Sequence, residues 1–323
     1  MDWEKVDWKA LERLRTAFLD GTAGAQDYWR SERDLESYDQ TFGQRIRWKW
    51  DYVLNELKQR GWSPPAVAGE VIDWGCGSGI ATRSFLDYFG VEPSATFLFW
   101  DRSPLAMQYA ASKAREAFPD IKVWLERPPE RMSGTLLISH VLTELADTQL
   151  DELLGLATHA TVVIWVEPGT YDASRKLIAV RERLRSGFQV VSPCTHQAAC
   201  GILTSENERH WCHHFAPSPP EVFMDGHWAR FAKIAGVDLR SLPLSFLVLD
   251  KRPAPQPNGM RVIGRPRVYK AHALLLGCDS SGVRDYRQTK REQPDEFRRL
   301  KKGRIPTYFT KTDKAPSIPT DRR

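Results

Sequence analysis

The sequence predicts an α/β protein built on a largely parallel sheet. Three observations predict it. Short apolar runs recur at Val71-Ile72, "ATFLFW" (95–100), "IKVWL" (121–125), "GTLLISHVL" (134–142) and "ATVVIWVE" (160–167). Amphipathic stretches of helix length lie between them, at 103–117, 147–158 and 171–187. The first run ends in an acid and opens into a glycine-rich loop. Apolar strands that alternate with helices are the pattern of a sheet covered on both faces.

The remaining elements follow in order. Residues 3–60 read as helical, because in "TFGQRIRWKWDYVLNEL" Ile46, Trp50, Val53 and Leu57 recur at helical spacing. A proline-marked linker, "KQRGWSPPAVAG", separates this region (1–62) from the main domain (63–252). "FQVV" (188–191) and "LPLSFLVLDKR" (242–252) add two final strands, and a cysteine-rich insertion with a helix at 220–236 occupies 190–236 between them. After Pro253 the chain changes character. "MRVIGRPRVYKAHALLLGC" and "GVRDYRQTKRE" read as short twisted strands of a small β extension (253–305), followed by a tail (306–323) whose "KTDKAPSIPTDRR" has a disordered composition.

Composition narrows the function classes. The chain has 323 residues, 41% hydrophobic and 27% charged, as globular proteins do. No apolar run is long enough to span a bilayer. The opening "MDWEKVDWKALERLR" lacks the apolar core of a secretory signal and the acid-poor character of a transit peptide. The expectation is a monomeric cytoplasmic protein, most simply bacterial. Its five cysteines then point to metal or redox chemistry ahead of disulfides. The net charge of +5 is split: residues 261–323 hold 17 Lys+Arg against 7 Asp+Glu, and the rest of the chain is mildly acidic. A basic extension on an acidic body suggests a polyanion, with RNA the leading partner; a solvated surface is the plain alternative.

The first chemical signal is "VIDWGCGSGIATRSFLDYF", with Asp73, Gly75, Gly77 and Gly79 at alternate positions between a strand and a helix. Glycines let a backbone turn sharply and approach a ligand closely. The spacing differs from the G-x-G-x-x-G of dinucleotide sites. It resembles motif I of the Rossmann-like S-adenosylmethionine-dependent methyltransferases, whose glycine loop packs against the cofactor. Asp101, ending the next strand 28 residues after Asp73, stands where that family's carboxylate accepts the ribose hydroxyls. It also suits a helix N-cap ahead of "SPLAMQYA". No Asn/Asp-Pro-Pro-aromatic motif follows the fourth strand. There the chain reads "LLISHVLTEL", where His140 or Glu144 could touch a substrate or merely cap a helix. Transfer by proximity needs no strong base, so catalysis is neither excluded nor supported.

The second signal is the cysteines. Cys194 and Cys200 are separated by five residues, and Cys212 follows after eleven more. This is loose for zinc knuckles. The candidates for a fourth ligand are His196, His213, His214 and Cys278. A nucleophilic Cys212–His213 pair ranks low, because adjacent residues rarely face one substrate. Cys76, inside the glycine loop, reads as a small filler.

"WVEPGTYDASRKLIAVRERLRSGFQVVSPCTHQAAC", "HWCHHF", "LPLSFLVLDKR" and "RPRVYKAHALLLGCDSSGVRDYRQTKR" occur in that order. Over roughly 40–290 the chain is similar to the Rsm-type methyltransferase-like proteins, assembly factors of the mitochondrial small ribosomal subunit and their bacterial relatives. The resemblance implies that Cys194, Cys200, Cys212 and Cys278 bind a 4Fe–4S cluster, with zinc the alternative, and that the cluster clamps the β extension to the core. The chain departs from the family at Gly201, where proline is usual, and in the doubled histidine of "WCHHF". The implied function is to bind S-adenosylmethionine and small-subunit rRNA and to assist assembly of the small-subunit precursor. Arg265, Arg267, Lys270, Arg284, Arg287, Lys290 and Arg291 are the expected RNA contacts, and Tyr269 and Tyr286 could stack on bases or pack internally. The rival reading is a catalytically active rRNA methyltransferase. A radical S-adenosylmethionine enzyme is disfavoured, because four cysteines leave no open iron.

Overall fold

The apolar runs become parallel strands β1 (Glu70–Trp74), β2 (Thr96–Trp100), β3 (Lys122–Trp124), β4 (Gly134–Ser139) and β5 (Val162–Pro168). A computed structural model describes residues 2–22, 28–65 and 69–309. Strand order is β3-β2-β1-β4-β5-β8-β6. β8 (Leu242–Asp250) runs antiparallel between β5 and β6 (Gln189–Ser192), and the short β7 (His214–Ala216) also pairs with β8. Helices α4 (Ile80–Phe89), α5 (Pro104–Ala117), α6 (Asp147–His159) and α7 (Tyr171–Leu184) connect the parallel strands and lead on to β6. The helix α5 starts where Ser103 accepts the Ala106 N–H and Pro104 presets the first turn.

Both faces of the sheet are dry, which explains why the strands read as continuous apolar runs. Alternate residues divide between two layers. Phe97, Phe99, Leu137, Ile164 and Val166 join the core under α4, α5 and the N-terminal helices, while Ile72, Leu136, Ile138, Val163 and Trp165 join the one under α6 and α7. Each such side chain contributes about 1.5–3 kcal/mol by leaving water.

The N-terminal region forms α1 (Trp8–Leu19), α2 (Glu32–Tyr38) and α3 (Gln44–Gln59), the last two joined by a π-helical turn at Asp39–Gly43. The expected helix at 220–236 is split into α8 (Glu221–Met224) and α9 (Gly226–Ala235), because Asp225 is extended and caps the second helix through the His227 N–H. The extension is an antiparallel sheet of β9 (Met260–Val268), β10 (His272–Asp279), β11 (Gly282–Thr289) and β12 (Tyr308–Phe309). Phe297 and Leu300 of α10 (Pro294–Lys301) cover one of its faces. Of the tail expected to lack structure, Tyr308–Phe309 pair with β9; residues 310–323 lie outside the described residues. No described helix is long and apolar enough to cross a membrane.

One buried carboxylate ties α3, β6, β9 and β12 together. Glu56 Oε1 accepts from Arg60 (2.7 Å), Arg261 (2.6 Å), the Ser192 hydroxyl (2.6 Å) and the Tyr308 hydroxyl (2.9 Å). Arg261, which the sequence counts among the basic residues of the extension, is therefore buried inside the junction. Burial alone would raise the Glu56 carboxyl, but the Arg261 and Arg60 guanidiniums outweigh it and hold the group well below the usual carboxylate range. A depressed acid stabilises the fold fully above its unfolded value, and that contribution is lost as pH falls. Glu56→Ala leaves two buried guanidiniums uncompensated and should cost about 3–5 kcal/mol in urea unfolding. Glu56→Gln should in addition flatten the loss of stability below about pH 4.5. Unchanged stability in both variants would show that the network is dispensable.

Candidate functional site

Strand order reverses at β1/β4, and the crevice at the carboxyl ends of these strands is where open α/β sheets bind ligands. The glycine loop lines it. Gly75, Gly77 and Gly79 have φ of 68°, 51° and 78°. A Cβ on Gly79 would lie 2.9 Å from the Ala110 Cβ of α5, and one on Gly75 would lie 2.6 Å from Val141 Cγ1. These two glycines are needed for packing. Gly77 differs: a Cβ there meets nothing within 4 Å, so open space lies beside it. Asp101 accepts the Gly77 N–H (3.0 Å) and the Ser103 N–H (2.9 Å), and thus holds the loop and caps the turn into α5 together. Asp73 is turned inward. Its Oδ2 accepts the Thr82 N–H (3.2 Å) and hydroxyl (2.8 Å), and burial pushes the group up to about 7. Cys76 is buried and hydrogen-bonds through its N–H to Trp100 O (3.0 Å).

The opposite wall is the turn after β4, to which no sequence motif assigns a role. His140 is the only described non-glycine residue with positive φ, at 57°. Glu167, from "E-P-G-T", fixes this turn: its Oε1 accepts the N–H groups of Val141 (3.2 Å) and Leu142 (3.0 Å) and the Trp165 indole N–H (2.7 Å). Burial pushes Glu167 up to about 7. Lys49 Nζ, from α3, lies 3.1 Å from His140 Nε2. Sequence patterning does not single out Lys49; a lysine beside Trp50 on the apolar stripe of a helix is the one signal it leaves.

The four cysteines expected to act together come from four places: the end of β6 (Cys194), a tight turn (Cys200), the approach to β7 (Cys212) and β10 (Cys278). Cys200, Cys212 and Cys278 pack with Ile178, Ile202, Ile263 and Val283 in one cluster between α7 and the extension. Burial, and then the Cys194 thiol, pushes Cys200 up to about 11. Cys212 and Cys278 are also raised, by burial first and then by the neighbouring thiols. His196 Nε2 is 3.4 Å from Cys278 Sγ, and His214 Nε2 is 3.7 Å from Cys212 Sγ. His213 instead stacks on Trp211. Arg181 of α7 donates to His196 O (3.3 Å) and Ala198 O (2.9 Å), which holds the insertion loop against the helix. A Cβ on Gly201 would lie 3.0 Å from the Val283 N, so the smallest residue seats the loop on the β10–β11 turn. As the side chains lie, no three His, Cys, Asp or Glu groups among the described residues are close enough to hold a metal ion. The thiols are nevertheless near enough to perturb one another.

The basic residues expected to contact RNA separate into two groups. Arg267, Leu274 and Arg287 form one row across β9, β10 and β11, on the face of β10 that also carries Cys278. Arg265, Lys270, Arg287, Lys290 and Arg291 are exposed; Arg265 lies over the Phe215 ring at 4.2 Å. Arg284 is turned back to the Tyr286 hydroxyl (2.8 Å) and Asp279 (3.8 Å), and Arg267 pairs with Asp285 (2.6 Å). Tyr286 is buried, whereas Tyr269 is exposed and stacks on His272.

These features define a methyltransferase-like α/β protein with a cysteine-bearing junction to a basic extension. The family described as "Mitochondrial small ribosomal subunit Rsm22" matches residues 50–305, and the chain belongs to that family. No curated protein matches it. Among solved structures it is similar to magnesium protoporphyrin IX methyltransferase from Synechocystis, with 12% identity, 64% of this chain and 84% of that one covered, and a TM-score of 0.39. It is also similar to precorrin-6y C5,15-methyltransferase from Geobacter metallireducens, with 12% identity, 62% and 87% covered, and a TM-score of 0.35.

Proposed function

We propose that this protein assists assembly of the small ribosomal subunit, as an S-adenosylmethionine-binding factor whose basic extension is clamped to its core by a 4Fe–4S cluster and contacts small-subunit rRNA. It acts in the cytoplasm as a monomer. The observation that carries this reading is that Cys200, Cys212 and Cys278 pack together at the junction of the two sheets, with the Cys194 thiol near enough to perturb each of them, beside a face that continues into Arg267 and Arg287. The donor set fits a sulfur-ligated group: the thiols of Cys200, Cys212 and Cys278, which burial favours in the neutral form, and the neighbouring Cys194 would become ligands once a metal replaces their protons. Bound there, a cluster supplies four metal–thiolate bonds between the insertion and β10. Zinc is the alternative occupant.

The crevice fits S-adenosylmethionine in the same sense. Open space beside Gly77 and the carboxylate of Asp101 would take the cofactor, which when bound supplies an activated methyl group. Family membership supports the ribosomal role. Catalytic rRNA methylation is the second reading, favoured by the polar groups of the turn after β4.

Protein purified without oxygen should contain about four iron per chain. Cys278→Ser should lose the iron as fully as Cys212→Ser. If Cys278→Ser keeps it, His196 becomes the fourth ligand and the clamp fails; stoichiometric zinc without iron rejects the cluster.

Arg287→Glu with Lys290→Glu, both at exposed positions, should weaken co-sedimentation with immature small subunits. It should also flatten the salt dependence of rRNA binding, by roughly one unit of slope for each phosphate the variant no longer neutralises, with iron content unchanged. Binding as tight as wild type would return the extension to a solvated surface.

A further inference from the structure

A cavity of about 340 Å³ lies where α2 and its π-helical turn meet α4 and α5. Small-ligand pockets are of this size. Glu36, Asp39, Arg83, Tyr109, Lys113 and Glu116 line it. The acids outnumber the bases, and both bases are already engaged. Arg83 pairs with Asp39 Oδ1 and donates to Ser78 O (3.1 Å) and Gly79 O (3.4 Å) of the glycine loop. Lys113 pairs with Glu116 (3.0 Å), and its Nζ lies 5.7 Å from the Tyr109 ring centroid. No base lies within salt-bridge distance of Glu36 among the described residues. The lining thus keeps a net negative charge.

Tyr109 supplies a second, independent sign of a ligand. It is 4% exposed, and its hydroxyl has no hydrogen-bond partner among the described residues. Buried hydroxyls are ordinarily paired. This side chain lines the cavity, so its pairing is left to an occupant. Burial raises the phenol, the Asp39 carboxylate adds to this, Arg83 opposes it and Glu36 adds again. The hydroxyl is therefore neutral, stands among carboxylates and has lone pairs to offer. The site is also preformed. In the turn that carries Asp39, the Thr41 hydroxyl donates to Ser37 O (2.7 Å), and a Cβ on Gly43 would come within 3.2 Å of Asp39 Oδ1. Groups fixed in advance bind without paying to be ordered.

We propose that this cavity binds a primary ammonium on a short alkyl arm, with Glu36 and Asp39 balancing its charge and the Tyr109 hydroxyl accepting one of its N–H groups. A free polyamine and a lysine side chain of a basic protein present this same group. The site is independent of the proposed ribosomal role.

The test is calorimetric titration of the full chain at fixed ionic strength, with putrescine and with Nα-acetyllysine amide as probes. Putrescine should bind saturably, and about tenfold more weakly to Glu36→Gln, as loss of a charge-assisted hydrogen bond implies. Tyr109→Phe, which keeps the ring, should weaken it about fivefold. Both substitutions are nearly isosteric, and an unchanged melting temperature confirms the fold. Glu292→Gln removes an exposed acid of the extension and should leave binding unchanged. Whichever probe binds more tightly identifies the source of the ammonium. The proposal is overturned if neither probe binds saturably, if either cavity variant binds putrescine like wild type, or if Glu292→Gln weakens binding as much as Glu36→Gln. It is overturned equally if succinate binds in place of putrescine, which would make Arg83 and Lys113 an anion site.

Discussion

The junction between the two sheets depends on a single carboxylate oxygen. Glu56 Oε1 gathers two guanidiniums and two hydroxyls from α3, β6, β9 and β12. Arg60 then spreads the constraint to the cysteine segment by donating to Pro193 O (3.2 Å) and Cys194 O (3.4 Å). Removing the carboxylate strands two buried charges, so the interaction fixes where the extension sits more than it adds net stability. With β9 pinned by Arg261, β10 and its Cys278 are carried by strand pairing to the three thiols of the insertion.

The same helix serves both ends of the molecule. From α3, Glu56 and the adjoining Arg60 face the extension, while Lys49 and Trp50 face the turn after β4, two helical turns away. The crevice is built from short-range constraints: left-handed glycines, a carboxylate on the Gly77 N–H, and Glu167 holding the facing turn. The crevice at the glycine loop and the junction that gathers the cysteines are thus separate, and α3 packs against α4 beside the first and β7 beside the second.

The parallel strands were legible because burial on both faces forces unbroken apolar runs such as "TVVIWV". The glycine loop was legible because the positive φ angles at Gly75, Gly77 and Gly79 favour glycine. The cysteine set came from resemblance; the spacing of the first three thiols says nothing of a partner on a strand dozens of residues later. Charge misled in two places. Arg261 looks like part of a basic surface and is buried, because its partner Glu56 lies 205 residues earlier. Lys49 sits beside Trp50 on the apolar stripe of α3 and is buried against His140, 91 residues later. Neither pairing leaves a local trace. The helix α10 went unread because "PDEFRRLK" hides only Phe297 and Leu300 among charges.

The central claim is that loading the four thiols locks the extension onto the core. Amide hydrogen exchange by mass spectrometry, on iron-loaded and metal-stripped protein, tests it directly. Stripping should speed exchange in 193–216 and in β10 and β11, while β2, β4 and β5 keep their protection. Equal exchange across β10 and β11 in the two forms would mean that the Glu56 network alone holds the junction, and would contradict the clamp.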